Sequence, residues 1–344
     1  LITFTVGVAT HLLTRRYRRE LQPRDGFLMV SMIWTGIPAV STIPFMIFFE
    51  SLSFTDAYFE TVSALTTTGA TVFVGLDNMP SSINIWRHLL CWMGGMGILV
   101  LAVAVLPLLG VGGSQVFKAE TPGPMKDSKL TPRITETARA LYMVYVVMSL
   151  ACAVSYKLAG MSWLDAFMHA GSTLSLTGFS AYDSSYGFFN SPAIEMVAVV
   201  FMIAALINFS IHFLAWRGKS FKPYFTCPEA KWQMALLAFS VSLITVYLLA
   251  HQYYTSFSEA FRYALFNTVS VASTTGFANT DYSLWPMFAP MLMLLLSMVT
   301  SAAGSTGGGI KMMRAVILLK QAFRELSRTL HPRAVNPVRI GNMP

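Results

Sequence analysis

The stretch Ser63-Ala64-Leu65-Thr66-Thr67-Thr68-Gly69 is followed by two related stretches, spaced about a hundred residues apart, in this 344-residue chain. They read Ser172-Thr173-Leu174-Ser175-Leu176-Thr177-Gly178 and Ser270-Val271-Ala272-Ser273-Thr274-Thr275-Gly276. In each stretch a Ser lies six residues before the Gly, a Ser or Thr three before it, and a Thr directly before it. An aromatic residue lies fifteen residues before each Gly and an Ala twelve before it. A polar turn that recurs within apolar sequence predicts a pore built from internal repeats, and it favours ion permeation over enzymatic catalysis.

The composition indicates an integral membrane protein. Hydrophobic residues make up 54% of the chain and charged residues only 12%, whereas soluble domains carry about 25% charged residues. A helix needs about 20 apolar residues to cross the bilayer. The segments predicted to span the membrane lipid bilayer are residues 27–49, 83–109, 138–156, 192–214, 232–250 and 286–319.

The distribution of basic residues predicts the topology. All of the 24 Lys and Arg residues except Arg87, Lys157 and Arg262 fall on one predicted side of the membrane. The positive-inside rule makes that side cytoplasmic. The net charge of +8 is therefore interpreted as a topology signal, and no nucleic-acid partner is expected. The other face is acidic and would concentrate cations near a pore mouth.

Each repeat is predicted to contain a spanning helix, a short re-entrant pore helix, a turn and a second spanning helix. The predicted pore helices are residues 54–65, 163–174 and 261–272. Non-helical backbone at membrane depth is tolerated only where it is buried in protein or lines a water-filled cavity, so the three turns are expected to converge on one axis. The predicted fold is an all-α integral membrane protein with these units around a pseudo-fourfold pore. The predicted segments are an N-terminal helix end and cytoplasmic link (1–26), the first pore repeat (27–110), a cytoplasmic loop (111–137), the second pore repeat (138–216), a cytoplasmic loop (217–231), the third pore repeat (232–323) and a cytoplasmic link (324–344).

The turns are predicted to form a cation filter. A dehydrated cation needs a ring of oxygens in place of its water, and Gly permits the positive φ that turns backbone carbonyls inward. The turns contain no carboxylate, which favours a monovalent ion over Ca²⁺. The predicted filter residues are Thr67, Thr68, Gly69 and Ala70 in the first repeat, Leu176, Thr177, Gly178 and Phe179 in the second, and Thr274, Thr275, Gly276 and Phe277 in the third.

A simpler interpretation is that these small residues only pack helices together, as they often do in membranes. One such segment would not distinguish packing from a filter. Five matched positions in three segments favour the filter.

A glycine cluster, Gly304-Ser305-Thr306-Gly307-Gly308-Gly309, interrupts the last predicted span. Each Gly costs a helix about 1 kcal/mol relative to Ala, so the helix is expected to unwind there into an intramembrane loop that acts as a gate below the filter. Close helix crossing at small residues is the alternative. A nucleotide-binding P-loop is excluded, because Ile310 separates Gly309 from Lys311 and Met312 replaces the required Ser or Thr.

Other polar residues are given structural roles. Asp56 and Asp165 are expected to cap the N-termini of their pore helices. Arg87 and Arg262 are expected to pair with nearby acids. The six His residues show no metal-ligand spacing, and no cofactor is expected apart from a permeant ion.

Several motifs together resemble those of the Trk/Ktr/HKT superfamily of potassium transporters, most closely its bacterial TrkH branch. The resemblance covers essentially the whole chain. The motifs are SFTDAYFE at 53–60, TTTGAT at 66–71, GGMGI at 94–98, AETPGP at 119–124, LTPRI at 130–134, INFS at 207–210, AGSTGGGIK at 303–311 and HPRAV at 331–335.

The resemblance implies four channel-like repeats in one polypeptide, each with one filter glycine, of which Gly69, Gly178 and Gly276 match three. A fourth would be expected roughly a hundred residues past Gly276 and further helices ahead of Leu1, so the sequence is expected to be an internal fragment. The resemblance also implies K⁺ as the permeant ion, a bacterial inner-membrane location, a homodimer, and a cytosolic nucleotide-binding regulatory subunit that moves the loop at 304–309.

The expected function is passive or potential-assisted potassium uptake through this pore. The alternative is a cation-coupled secondary transporter, a symporter with alternating access, because such folds also use broken helices at midplane sites.

Overall fold

The computed structural model describes residues 7–8, 12–13, 23–100 and 134–331. All regular structure in this part of the chain is helical, which confirms the predicted all-α class. The helices are α1 (Pro23–Ser41), α2 (Ile43–Phe48), α3 (Phe54–Leu65), α4 (Ser81–Val100), α5 (Ile134–Leu158), α6 (Trp163–Ser175), α7 (Pro192–Leu206), α8 (Phe209–Gly218), α9 (Lys222–Thr226), α10 (Pro228–Ala250), α11 (Phe257–Ala272), α12 (Phe288–Val299) and α13 (Met312–Leu330).

Some predicted segments fall outside the described residues. They include most of the N-terminal link at 1–26, nearly all of the loop at 111–137, and the end of the link at 324–344. The motif at 119–124 also lies there, as do all but one residue of each of the motifs at 130–134 and 331–335.

Three described helical stretches are long and apolar enough to cross a membrane, namely Val30–Phe48, Arg139–Leu158 and Pro228–Ala250. The predicted continuous span at 192–214 is wrong, because α7 ends at Leu206 and α8 leaves it at an angle of 95°. Asn208 caps α8 by accepting a hydrogen bond from the backbone N–H of Ser210 at 2.8 Å. Asn is among the residues that most favour the N-cap position, so the capped start of α8 stabilises the break.

The helices predicted to be pore helices correspond to α3, α6 and α11, and we keep that name for them. Ser53 and Ser162 cap the first two, each accepting a hydrogen bond from the backbone N–H three residues later. The predicted capping by Asp56 and Asp165 is therefore wrong: these residues occupy the third helical position, as the acidic partner does in a capping box. Each carboxylate instead accepts a hydrogen bond from the capping hydroxyl, at 2.7 and 2.6 Å.

The repeats pack side by side in chain order. The pore helix α6 contacts α5 and α7, the helices before and after it in its own repeat, and also α4 of the preceding repeat. In the same way, α11 contacts α10 and α12 of its own repeat and α7 of the preceding repeat. Ala57, Ala166 and Ala264, which share the position twelve residues before the glycine, are fully buried. Their small side chains allow close approach of neighbouring helices, so the repeated Ala positions pack the pore helices into this arrangement.

The segments after the three turns also link the repeats. Asp183 in the second segment accepts a hydrogen bond from the backbone N–H of Leu76 in the first, at 3.1 Å. The backbone N–H of Tyr186 donates to the carbonyl of Ala278 in the third segment at 2.9 Å. These contacts join the first repeat to the second and the second to the third.

Candidate ion pathway

The three polar turns have the same backbone conformation. The residue two before each glycine has a left-handed φ, 54° at Thr67, 55° at Leu176 and 63° at Thr274. The glycines themselves have φ values of 82° at Gly69, 82° at Gly178 and 91° at Gly276. A positive φ is uncommon for a residue other than Gly. Since it recurs at the same place three times, the turns present their peptide groups in equivalent arrangements.

A hydrogen bond between two side-chain hydroxyl groups stabilises each turn. The side chain three residues before the glycine forms a hydrogen bond with the Thr hydroxyl directly before the glycine. The pairs are Thr66 with Thr68 at 2.8 Å, Ser175 with Thr177 at 2.7 Å and Ser273 with Thr275 at 2.7 Å. These contacts account for two of the matched polar positions in the sequence.

The Ser six residues before each glycine makes a hydrogen bond to its turn in the first and third repeats but not in the second. Ser63 donates to the carbonyl of Ala70 at 2.6 Å, and Ser270 donates to that of Phe277 at 2.7 Å. The hydroxyl of Ser172 is buried without a hydrogen-bond partner. The corresponding carbonyl, of Phe179, lies 3.2 Å from Nε2 of His88. The pore helix therefore holds the residue after the glycine in the first and third repeats only.

Two of the glycines face the next turn at close range. A Cβ at Gly69 would overlap the carbonyl oxygen of Thr177, and a Cβ at Gly178 would overlap that of Thr275. A Cβ at Gly276 would meet no atom within 4 Å. The first turn therefore contacts the second and the second contacts the third, and the structure brings the three sets of predicted filter residues together.

A buried polar residue nine positions before each glycine holds the segment that follows the turn. These residues, Glu60, His169 and Asn267, were not predicted to have this role. The sequence does repeat a polar residue at this position of the three pore helices. The repeat is hard to recognise, because the residue type differs each time. The bonds are from Thr71 Oγ1 to Glu60 Oε2 at 2.9 Å, between His169 Nε2 and Ser180 Oγ at 3.1 Å, and from Asn267 Nδ2 to Asn279 Oδ1 at 2.6 Å.

A fully buried Arg87 joins the first and second repeats. Its guanidinium pairs with Glu60 at 2.8 Å, donates to the carbonyl of Ser180 at 3.4 Å, and stacks 4.5 Å from the ring centroid of Phe179. Removing one partner of such a buried pair leaves an uncompensated charge. The predicted pairing of Arg87 with an acid is confirmed.

The pairing predicted for Arg262 is also confirmed. It binds Glu195 at 2.6 Å and so joins α11 of the third repeat to α7 of the second. Arg87 and Arg262, which were both predicted on the outer side, therefore each connect two neighbouring repeats.

An aromatic cluster lies in the segment that follows the second turn. Tyr182 stacks on Phe188 with ring centroids 3.6 Å apart and donates a hydrogen bond to Asp165 at 3.1 Å. Burial, followed by the neighbouring Asp165 carboxylate, raises the pKa of Tyr182 to about 12. An ordinary phenol, with a pKa of about 10, is already protonated at neutral pH, and the raised pKa keeps the proton that Tyr182 donates to this carboxylate at higher pH as well.

The predicted gate residues lie in a long non-helical segment between α12 and α13, at residues 300–311. The hydroxyl of Thr306 donates to the carbonyl of Leu174, at the C-terminal end of α6, at 3.0 Å. The backbone N–H of Gly308 donates to the hydroxyl of Thr274 at 3.0 Å. This segment, which we call the Gly-rich loop, therefore contacts the second and third repeats at their polar turns.

Hydrogen bonds from α10 and from the break between α7 and α8 hold the Gly-rich loop in place. From α10, Glu229 accepts a hydrogen bond from the backbone N–H of Ala303 at 3.1 Å, and Gln233 donates to the carbonyl of Thr300 at 2.7 Å. At the break between α7 and α8, the backbone N–H of Phe209 donates to the carbonyl of Gly304 at 3.1 Å. Sequence reasoning missed these anchors, because they are far from the loop in the chain.

The family model for TrkH, described as a cation transport protein, matches residues 1–343. The chain belongs to the TrkH family. Membership in a family of transport proteins confirms the prediction that the chain is not an enzyme.

Individual members of the TrkH family are similar along nearly the whole chain. The Trk system potassium uptake protein TrkH of Vibrio parahaemolyticus is 47% identical over 330 residues, which are 95% of this chain and 68% of that protein. The protein of the same name from Escherichia coli is 43% identical over 343 residues, 99% of this chain and 71% of that protein. The crystal structure of the potassium transporter TrkH from Vibrio parahaemolyticus matches with a TM-score of 0.85 at 44% identity, covering 95% of this chain and 68% of that one. This match confirms the membrane fold of repeated helical units.

Proposed function

We propose that this chain mediates potassium uptake across the bacterial inner membrane through a channel-like pore. The observation that carries the proposal is the contact of Gly69 with Thr177 and of Gly178 with Thr275, in three turns of equivalent conformation. The similarity to relatives that are named potassium uptake proteins supports it. The filter residues are those predicted from the sequence: Thr67, Thr68, Gly69, Ala70, Leu176, Thr177, Gly178, Phe179, Thr274, Thr275, Gly276 and Phe277.

In this mechanism K⁺ gathers at an acidic outer vestibule and loses its water to oxygens of the turns. The C-terminal ends of the three pore helices carry partial negative charge and point toward the ion. A four-part ring would place a further turn beside Gly276, on the side where a Cβ meets no atom within 4 Å. Inward movement is driven by the membrane potential, which contributes about 2.3 kcal/mol per elementary charge per 100 mV.

The Gly-rich loop is the gate in this proposal, with Gly304, Ser305, Thr306, Gly307, Gly308 and Gly309 at its centre. Opening requires that the loop release its bonds to Leu174 and Thr274, which are 3.0 Å long in this state. A cytosolic nucleotide-binding regulatory subunit would move the loop, and the transporter would work as a homodimer.

The test is ion flux in proteoliposomes and single-channel recording. Replacing Gly178 with Ala places a Cβ against the carbonyl of Thr275, so we expect loss of preference for K⁺ over Na⁺. Gly36→Ala is the control, because a Cβ there meets no atom within 4 Å. Equal selectivity in wild type and Gly178→Ala would contradict the filter assignment. Slow, saturable flux without unitary current steps would favour alternating access instead.

A further inference from the structure

A cavity of about 430 Å³ lies between α5, α7, α8 and α9. It exists because α8 leaves α7 at 95° and so does not continue along α5. Most of its lining is apolar, with Val144, Met148, Val200, Ile203 and Ile207 among the contacting residues. Val200 and Val147 are exposed, so the cavity opens on the side of the molecule that contacts lipid.

One end of the cavity is polar and aromatic. His212, Trp216 and Tyr224 line it there, and Nδ1 of His212 forms a hydrogen bond with the Tyr224 hydroxyl at 2.7 Å. Trp216 and the nearby Phe225 are exposed. Trp and Tyr concentrate where a membrane meets water, so this end is at the level of the headgroups.

The residues next to that end carry positive charge only. Arg217, Lys219 and Lys222 are all exposed, and no Asp or Glu occurs between Asn208 and Pro228. The positive-inside rule places this basic segment on the cytoplasmic side. The cytoplasmic leaflet carries anionic lipids, and basic pockets between membrane helices bind their headgroups.

We propose that this cavity binds an anionic phospholipid of the cytoplasmic leaflet. An acyl chain lies against Met148, Val200 and Ile203, and the phosphate headgroup lies beside Arg217, Lys219 and Lys222. Charge complementarity favours an anionic headgroup over a zwitterionic one, since residues 209–227 supply three cations and no carboxylate.

The site adjoins the anchor of the Gly-rich loop. Ile207 lines the cavity, and the neighbouring Leu206 accepts a hydrogen bond from the backbone N–H of Ala302 at 3.2 Å. A bound lipid would therefore contact the same break in the helix that holds the loop.

The experiment measures binding rather than transport, so its result is independent of the proposed potassium function. The purified protein is placed in nanodiscs of phosphatidylcholine in which a minor fraction of the lipid has brominated acyl chains, which quench Trp fluorescence on contact. The brominated lipid is either phosphatidylglycerol, which is anionic, or phosphatidylcholine. The contribution of Trp216 is the difference between wild type and Trp216→Phe.

We expect several-fold stronger quenching of Trp216 by the anionic lipid than by the zwitterionic one. The combined substitution of Arg217, Lys219 and Lys222 by Gln should remove this preference, whereas Lys231→Gln should keep it. Ala204→Phe, which fills the cavity, should weaken quenching by both lipids. Equal quenching of Trp216 by the two lipids would overturn the proposal, whatever the charge and cavity variants show. Absence of Trp216 quenching, as expected if protein covers this face, would also overturn it.

Discussion

The hydroxyl of Thr306 donates a hydrogen bond to the carbonyl oxygen of Leu174 across 132 positions of the chain, at 3.0 Å. Both residues are buried. Leu174 lies in the last turn of α6, where carbonyl groups lack partners within the helix. This bond therefore ties the Gly-rich loop to the end of the second pore helix, directly before the polar turn.

Thr306→Val should loosen the Gly-rich loop. The variant keeps the shape of the side chain but removes a bond with a net value of about 1 kcal/mol and leaves a buried carbonyl without that partner. We expect about a fivefold higher open probability in single-channel recordings without a regulatory subunit. Thr306→Ser is the control, because it keeps the hydroxyl. An unchanged open probability in the Val variant would show that this bond does not hold the gate.

Gly307 and Gly308 should respond differently to Ala. A Cβ at Gly307 would lie 2.5 Å from Ser301 Oγ and 3.2 Å from the carbonyl of Ser273, whereas at Gly308 the nearest atom is 3.8 Å away. We expect Gly307→Ala to displace the loop and change potassium flux in proteoliposomes severalfold, and Gly308→Ala to behave nearly as wild type. The reverse order would contradict the described position of the loop.

The three Ser residues behind the turns should not be equivalent. Ser63 and Ser270 each donate to a carbonyl of their turn, but Ser172 has no partner. Ser63→Ala and Ser270→Ala should each cost about 1 kcal/mol and lower the K⁺ over Na⁺ permeability ratio. Ser172→Ala should leave that ratio and the stability close to wild type. The measurement is the reversal potential under bi-ionic conditions. A loss of selectivity in Ser172→Ala as large as that in Ser63→Ala would refute the distinction.

The buried pair of Glu60 and Arg87 should be essential for stability. Both side chains are fully buried, and removing one partner of such a pair typically costs about 3–5 kcal/mol. Glu60→Gln should therefore lower the unfolding temperature of the purified protein strongly.

The exposed pair of Arg324 and Glu325 offers a matched control. Its N–O distance is 2.9 Å, but the two side chains are 35% and 49% exposed. Exposed pairs contribute about 0–1 kcal/mol, so Glu325→Gln should hardly change the unfolding temperature. Similar shifts in both variants would show that burial does not set the strength of the first pair.

The first two pore helices could be predicted closely from the sequence, because a Ser cap marks the start of each and a polar turn marks its end. The first was predicted at 54–65 and lies at Phe54–Leu65, between a Ser cap and a polar turn. The third was predicted to begin at Phe261 but begins at Phe257. Its preceding Ser256 makes no capping bond with its side chain, so the usual cap does not mark the start.

The features that were not predicted depend on contacts between distant residues. The break at Ile207 and Asn208 lies between two apolar segments, and its backbone bonds with the Gly-rich loop bring together residues about a hundred positions apart. The roles of Glu60, His169 and Asn267 were hidden because only their position, not their residue type, is repeated. The filter and gate assignments stay predictions that the experiments above address.

The most direct test of the ion pathway is to locate Rb⁺ or Tl⁺ by anomalous scattering in crystals of the transporter. Our account predicts a peak between the three polar turns, coordinated by carbonyl oxygens near Gly69, Gly178 and Gly276. A peak elsewhere in the membrane region, with none between these turns, would contradict it.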